Sequence, residues 1–228
     1  MTLQGVNKMK DGRKISTAVI RRLPRYYRYL GDLLDKDITR ISSKDLSQRM
    51  GITASQIRQD LNHFGCFGQQ GYGYNVELLY QEVKHILGLD RSYNVILVGA
   101  GNFGQVLINN QNFAKRGFDF VAAFDNNPDV VGTNVGNIKV MDVAKLTDYI
   151  SKNRVDIAAL TLPSGVVQDV SKIVADAGVK GIWNFSHDDL RLPHDVIVEN
   201  VRLTDSIMTL SYKISEDEIL RRAVRDVW

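Results

Sequence analysis

The sequence predicts an α/β protein with a helical N-terminal module followed by a doubly wound parallel sheet. Two observations support this: the 228-residue chain has a helical pattern up to about residue 90, and short β-branched runs alternate with helical stretches after it. Such alternation is typical of parallel sheets covered by helices. The predicted boundaries are 1–87 for the first module, 88–203 for the second and 204–228 for a C-terminal helix.

The charge of the chain is divided between the two modules. The formal net charge is only +3, but residues 1–85 carry 14 Lys and Arg against 8 Asp and Glu, whereas the remainder carries 15 against 18. A basic part beside an acidic part indicates a nucleic-acid contact on the basic side. Chance remains the simpler alternative at this size of imbalance.

The composition excludes several classes of protein. The single cysteine allows neither an intrachain disulfide framework nor a Cys-based zinc site. No apolar run reaches the ~18 residues of a membrane span, and the N-terminus lacks the apolar core of a signal peptide. We therefore expect a cytoplasmic protein that binds neither a membrane nor a metal.

Two short helices with a three-residue connection are predicted in the first module. Ser42 with Asp45 is a helix-start signature, and Gly51 is suited to end that helix in the left-handed conformation. A second helix begins after Thr53, with Gln56 three residues further on. This arrangement is typical of a helix-turn-helix.

The second of these helices carries side chains that suit the major groove of DNA. Arg binds guanine edges, and Gln and Asn bind adenine edges; an ordinary solvated helix face is the alternative. Four glycines and three aromatic residues within 65–74 then predict a hairpin around 68–71, the wing of a winged helix. The candidate DNA-binding residues are Lys44, Ser55, Gln56, Arg58, Gln59, Asn62, Gln69, Gln70 and Tyr72.

A glycine-rich turn opens the second module. The apolar run 94–98 is followed at once by a GxGxxG motif over 99–104 and then by a helical stretch. In that context the glycines permit a tight turn, a close approach to a pyrophosphate and close helix–strand packing. The motif predicts a Rossmann-like dinucleotide site with the phosphates at the helix N-terminus.

An acid and two loops complete this predicted site. Asp125 ends the next strand at the position of a ribose-binding carboxylate, although it could merely cap the strand. No cation lies beside it, which favours NAD or NADH over NADP. The candidate cofactor-binding residues are Gly99, Ala100, Gly101, Asn102, Phe103, Gly104, Asp125, Asn126, Thr161, Leu162, Pro163, Asn184 and Phe185.

The C-terminal helix has an apolar set with no later element to pack on. Ile207, Leu210 and Ile214 recur on one face. Docking on its own domain is one possibility, and a partner subunit is the other. A dimer would also let two helix-turn-helix units read two half-sites of DNA.

The chain resembles the redox-sensing transcriptional repressor Rex family over nearly its whole length. The shared stretches are 19–30, the helix 42–51, 57–61 with 64–65, 71–76, 99–104 and 184–185. The resemblance implies a homodimer with a domain-swapped C-terminal helix and a palindromic operator. It also implies that NADH relieves DNA binding while NAD permits it, and that the chain is not an enzyme.

Three positions depart from the family pattern. The family links its domains through an Arg, a Tyr and an Asp that respond to the nicotinamide; Arg28 matches the Arg, but Asn110 and Arg202 stand at the other two positions. His187 stands where the family has Pro. Since two arginines cannot form a salt bridge, we expect a weakened or differently wired NADH response.

The alternative is an NAD-dependent oxidoreductase or a CoA- or nucleotide-binding regulatory protein on the same nucleotide fold. The winged-helix segment distinguishes the two, because a dehydrogenase has no use for it.

Overall fold

The computed structural model describes residues 16–62, 68–69 and 72–225. The chain divides into two compact units, Met1–Arg91 and Ser92–Trp228. The boundary falls four residues after the one expected from the sequence.

The first unit is helical with a small three-stranded sheet. Three helices and a short strand come first, and a hairpin leads into the last helix: α1 (Thr17–Leu34), β1 (Arg40–Ile41), α2 (Ser43–Met50), α3 (Ala54–Asn62), β2 (Gly68–Gln69), β3 (Gly73–Asn75) and α4 (Val76–Ile86). The sheet is antiparallel in the order β1-β3-β2. Apolar side chains from all four helices form one core.

The predicted helix-turn-helix is confirmed in its local geometry. The Ser42 hydroxyl accepts the N–H of Asp45 at 3.0 Å, and Gly51 ends α2 at φ 63°. The Thr53 hydroxyl accepts the N–H of Gln56 at 3.1 Å at the start of α3. These caps satisfy backbone groups that a helix end otherwise leaves unpaired. Helix α2 therefore begins and ends, and α3 begins, where the sequence indicates.

Helix α1 runs through Pro24 without interruption, although a proline inside a helix commonly kinks or ends it. Proline removes one backbone hydrogen bond and crowds the preceding turn. Val19 and Leu23 on one side of it and Tyr26 and Leu30 on the other are all buried in the same core. Packing on both sides of the proline therefore outweighs the local cost.

The second unit is a seven-stranded sheet with helices, which confirms the predicted Rossmann-like doubly wound fold. Its elements are β4 (Tyr93–Val98), α5 (Asn102–Asn109), β5 (Phe118–Asp125), β6 (Asn134–Val135), β7 (Ile138–Asp142), α6 (Leu146–Lys152), β8 (Ile157–Leu160), α7 (Val167–Asp176), β9 (Gly181–Asn184), β10 (Ile197–Asn200) and α8 (Leu203–Arg225). The strand order is β10-β9-β8-β4-β5-β7-β6, and all pairings are parallel except β6 with β7.

The strand order reverses at β4. From β4 the chain proceeds outward through β5 and β7, then returns to add β8 on the other side of β4. Ligands of such sheets bind outside the carboxyl ends of the strands at this reversal. The segments just after β4, β5, β8 and β9 therefore share one edge of the sheet.

The two faces of the sheet are covered differently. Side chains of α6 and α7, such as Leu146 and Val174, pack on one face. On the other face, Leu107 of α5 joins the core. A hollow of about 340 Å³ also lies on the sheet. It is lined by Val95, Phe113, Phe118, Phe120, Ile157, Gly181, Ile182, Trp183, Ile197 and Glu199.

Helix α8 carries two stripes of exposed apolar side chains. At about 100° per residue, Leu203, Ile207, Leu210 and Ile214 fall on one side, and Met208, Tyr212 and Ile219 on another. Each of these side chains is more than half exposed. No helix in the part of the chain that the structure describes is long and apolar enough to cross a membrane.

Candidate functional site

The three glycines of the GxGxxG turn occupy different environments. A Cβ on Gly99, which has φ 99°, would lie 2.7 Å from the carbonyl oxygen of Thr161, and one on Gly104 would lie 2.2 Å from the carbonyl oxygen of Gly99. A Cβ on Gly101 would meet no atom within 4 Å. Packing therefore requires glycine at positions 99 and 104. Gly101 borders open space, where a ligand phosphate can come close to the protein backbone.

The start of α5 faces this open space. Gly101 is the N-cap residue and has no side chain to cap the helix. The first-turn N–H groups and the positive end of the helix dipole together favour an anion at this position. Ala100 is buried, and Asn102 and Phe103 are exposed in the first turn.

Asp125 lies at the end of β5, beside the same turn. Its carboxylate accepts the N–H of Ala100 at 2.6 Å and the N–H of Asn127 at 2.9 Å. Asn126 is exposed next to it. A carboxylate held in this way retains lone pairs for a hydroxyl donor, as ribose recognition requires.

The loops after β8 and β9 meet this turn from the other side. The Thr161 hydroxyl donates to the carbonyl oxygen of Gly99 at 2.5 Å. The ring of Phe185 contacts that of Phe103 edge-to-face, with 5.1 Å between centroids. Leu162 is half-buried and Pro163 is exposed. The structure therefore brings these predicted residues together at one edge of the sheet.

Asn184 is different, because its amide is engaged within the protein. It is fully buried, its Nδ2 donates to the carbonyl oxygen of Asp188 and to Asn200 Oδ1, and its Oδ1 accepts the N–H of Ser186. Asn184 thus shapes the loop after β9, and we expect its effect on a ligand to be indirect.

Asp188 joins the two loops. Its carboxylate accepts the N–H of Gly165 at 3.0 Å. This bond and that from the Ser164 hydroxyl hold the pKa of Asp188 below its usual value. Because Asp188 did not belong to any motif, sequence reasoning missed it.

The exposed face of α3 carries most of the predicted base-reading residues. Ser55, Arg58, Gln59 and Asn62 are all exposed. Arg58 also donates to the Ser43 hydroxyl at 3.2 Å, which connects α3 to the start of α2. In a helix-turn-helix the second helix enters the major groove, so this face is the candidate reading surface.

Gln56 is half-buried and turned toward a buried carboxylate. Its Nε2 donates to Asp60 Oδ1 at 2.8 Å. Arg22 of α1 binds Asp60 with two bonds of 2.7 Å, and the Tyr26 hydroxyl donates to it at 2.9 Å. Gln56 therefore lies at the margin of the reading surface rather than at its centre.

The carboxylate of Asp60 is fully buried. Burial alone would raise its pKa, but the bonds from Arg22, Gln56 and Tyr26 outweigh that effect and hold the pKa below its usual value. Sequence analysis missed this cluster. The signal available was an acid at position 60 beside the apolar stripe of α3, together with Arg22 and Tyr26 four residues apart on α1.

The other predicted DNA contacts lie in the hairpin and at the start of α2. Tyr72 precedes β3 with 71% of its side chain exposed, and Lys44 is exposed in the first turn of α2. Gln69 is paired with Gly73 in the hairpin. Gln70 lies outside the described residues.

The three positions of the expected interdomain link have other neighbours within their own units. Arg28 is exposed, with its guanidinium carbon 5.3 Å from the ring centroid of Tyr29. Asn110 ends α5 and accepts the N–H of Asn112. Arg202 forms an ion pair with Asp189.

No group of His, Cys, Asp and Glu in the described segments could hold a metal ion.

Two known families match parts of the sequence. Residues 14–62 match the family described as "Putative DNA-binding protein N-terminus", and residues 90–187 match the family described as "CoA binding domain". The first match covers all of α1 to α3, and the second covers strands β4 to β9.

Relatives that align with about nine-tenths of the chain include transcriptional repressors named Rex. The redox-sensing transcriptional repressor Rex of Clostridioides difficile (strain 630) is 57% identical over 208 residues, which cover 91% of this chain and 99% of the relative. The repressor of the same name from Thermoanaerobacter pseudethanolicus (strain ATCC 33223 / 39E) is 52% identical over 214 residues, which cover 94% of this chain and 96% of the relative.

Solved structures agree with these relatives. RSP, a Rex-family repressor, has been solved in complex with β-NAD+ and operator DNA, and this structure matches with a TM-score of 0.84 and 52% identity over 92% of this chain and 97% of that one. Its complex with β-NADH matches with a TM-score of 0.83 and 50% identity over 91% and 98%.

A winged helix-turn-helix and a glycine-rich dinucleotide-type turn in one chain define a transcription regulator with a nucleotide-binding domain. More than half of the residues are identical to those of the named relatives over nine-tenths of the chain. The chain belongs to the Rex family of redox-sensing transcriptional repressors.

Proposed function

We propose that this protein is an NAD(H)-responsive repressor that binds a palindromic operator as a homodimer, with NADH relieving DNA binding and NAD+ permitting it. The observation that carries the proposal is the space at Gly101, which opens at the start of α5 in a chain that also holds a capped helix-turn-helix. RSP complexes with β-NAD+, β-NADH and operator DNA support it.

The residues at the sheet edge fit a dinucleotide. The first turn of α5 would hold the pyrophosphate, and Asp125 would accept hydrogen bonds from a ribose. Asn126, Asn127 and Pro128 beside Asp125 carry no positive charge. A ribose phosphate would meet the carboxylate unscreened, which disfavours NADP and CoA.

The nicotinamide end would lie toward the loops after β8 and β9. Thr161, Leu162 and Pro163 belong to the first of these loops, and Phe185 belongs to the second. When bound, the cofactor supplies a ring whose charge and planarity differ between NAD+ and NADH. These loops are therefore the part of the chain best placed to respond to that difference.

DNA would be read by the exposed face of α3 and contacted by the wing. Arg58, Gln59 and Asn62 carry donors and acceptors that match base edges in the major groove. Ser55 lies at the helix N-terminus, where base contacts of a recognition helix concentrate. Tyr72 is an exposed aromatic residue of the hairpin.

A second copy of the chain would cover α8. A helix that is apolar on two sides needs two surfaces to bury them, and its residues 203–219 are all exposed in the single chain. The hollow over the sheet, which is lined by residues of β4, β5, β8, β9 and β10, is a complementary apolar surface of the same chain. We therefore infer that α8 of one protomer packs against the other.

We infer that the protein regulates and does not catalyse, and that it acts in the cytoplasm. The curated relatives at 52–57% identity are named as repressors, which supports a regulatory role. A winged helix serves no purpose in a dehydrogenase.

The test is a fluorescence-anisotropy titration of the purified protein on the operator duplex of RSP. We expect the logarithm of the association constant for DNA to fall linearly with the logarithm of the salt concentration. We also expect NADH to weaken operator binding more than NAD+ does. NADH oxidation with 2-oxo acids, in the absence of any operator binding, would overturn the proposal in favour of an oxidoreductase.

A further inference from the structure

The hairpin of the first unit lacks cations of its own. Residues 65–75 contain no Lys or Arg. A wing that contacts the DNA backbone gains its affinity from phosphate contacts, which are made chiefly by Lys and Arg. A cation for this wing has to come from a neighbouring element.

Strand β1 supplies such a neighbour. Arg40 pairs with Asn75 and Ile41 with Tyr74, so β1 extends the hairpin by a third strand. Ile41 is 6% exposed and points into the core. Because successive side chains of a strand point to opposite faces, Arg40 lies on the solvent side of the sheet.

The backbone at Gly73 holds the hairpin against β1. A Cβ on Gly73 would lie 2.6 Å from the carbonyl oxygen of Ile41, and its φ of 73° also favours glycine. This close approach places Tyr72 beside Arg40. The guanidinium carbon of Arg40 lies 6.0 Å from the centroid of the Tyr72 ring, and Nη1 lies 3.5 Å from the Tyr72 carbonyl oxygen.

Arg40 has no acidic partner among the described residues. A guanidinium carries five donors, and the long bond to the Tyr72 carbonyl uses one of them. The aromatic face limits the motion of the side chain without consuming its donors. The cation is thus oriented on the wing surface with most of its hydrogen-bonding capacity unused.

We propose that Arg40, supported by the ring of Tyr72, is the residue through which the wing binds a DNA phosphate. The proposal rests on the proposed DNA-binding function and names a contact within it. Since a phosphate contact is independent of sequence, Arg40 adds affinity and salt dependence but no base preference.

The experiment measures the affinity of R40A for the RSP operator duplex and for a shuffled duplex at several salt concentrations. We expect about fivefold weaker binding to both duplexes and a salt slope that falls by about 0.9 for each wing bound. R40K keeps the charge and is expected to recover most of the slope. K36A removes a nearby exposed cation and serves as the control, with the wild-type slope.

The pairing with Tyr72 is tested by a double-mutant cycle. If the ring orients Arg40, Y72A costs affinity in the wild-type background but little in R40A, so the two losses do not add. Strictly additive losses would overturn the pairing. Thermal unfolding of each variant separates a lost contact from a lost fold.

Two negative results have different meanings. Wild-type protein that binds neither duplex would overturn the proposed function itself. Wild-type binding with an unchanged affinity and salt slope in R40A would overturn the role of Arg40 alone.

Discussion

Arg202 and Asp189 form an ion pair within the second unit, across thirteen positions of the chain. Asp189 belongs to the loop that follows β9, and Arg202 immediately precedes α8. Arg202 Nε is buried and has no hydrogen-bond partner among the described residues. The pair therefore connects a loop at the ligand edge to the start of α8, the helix that we infer packs against the partner subunit.

The first prediction concerns this pair and the NADH response. Replacing Arg202 by Asp returns a carboxylate to the position where the resemblance places one, so R202D should release operator at lower NADH than the wild type. D189N breaks the pair without adding that carboxylate and should not gain sensitivity. Operator occupancy titrated with NADH at constant NAD+ measures both.

A wild-type protein that already releases operator as steeply as RSP would contradict the weakened response. An equal gain in R202D and D189N would show that the loss of the pair matters, and not the returned carboxylate.

The second prediction separates two glycines of the same turn. G101A adds a methyl group only to open space, so the fold should keep its stability while NADH affinity falls about tenfold or more. G104A forces a Cβ against the Gly99 carbonyl and Leu97, which should destabilise the unit by about 1–3 kcal/mol. Calorimetric titration and thermal unfolding distinguish the two effects. Unchanged NADH affinity in G101A would exclude the turn as the phosphate site.

The third prediction concerns the buried Asp60 cluster. D60N leaves the Arg22 guanidinium without its carboxylate, and we expect the free energy of unfolding at pH 7 to fall by about 3 kcal/mol. This value is at the lower end for a buried ion pair, because Arg22 keeps some contact with water. Urea unfolding followed by circular dichroism measures it. R49A removes an exposed arginine of the same unit and should change stability little.

The same cluster predicts a pH dependence. The pKa of folded Asp60 lies below its value of about 3.9 in the unfolded chain. Its contribution is therefore present above pH 3.9 and is lost as the pH falls through the folded pKa. The stability gap between wild type and D60N should narrow below about pH 3.9. A gap of equal size at pH 7 and in acid would argue against a charged Asp60.

The fourth prediction tests the assembly. I207D/L210D places two charges on one apolar stripe of α8, which should yield a monomer with much weaker operator binding because both half-sites can no longer be held together. K213D introduces the same residue between the two stripes and should remain dimeric. Size-exclusion chromatography with light scattering reads the mass. A monomeric wild type at micromolar concentration would rule out the proposed dimer.

The features that could be predicted from the sequence depend on residues close together in the chain. The caps at Ser42, Gly51 and Thr53 act within four residues, and the GxGxxG turn lies directly between its strand and helix. Such features depend on neighbours along the chain, so the helix-turn-helix and the glycine-rich turn at the sheet edge could be predicted from the sequence.

Contacts between residues far apart in the sequence could not be predicted from it. Arg22 and Asp60 are 38 positions apart, and only the packing of α1 on α3 shows that they meet. Asn184 ends β9 at the ligand edge, yet its amide group donates to the carbonyl oxygen of Asp188 and to the side chain of Asn200. Composition and periodicity carry no information about which of several polar partners a side chain selects.

The two apolar stripes of α8 have a consequence for the abundance of the protein. In the proposed homodimer the folded state gains free energy from association, so its apparent stability rises with protomer concentration. A newly made chain without a partner would expose the apolar side chains of α8 to proteases and to aggregation. The rate of synthesis of the repressor would then also set how much of it is stabilised by dimerisation. A small change in synthesis would produce a larger change in the concentration of active dimer.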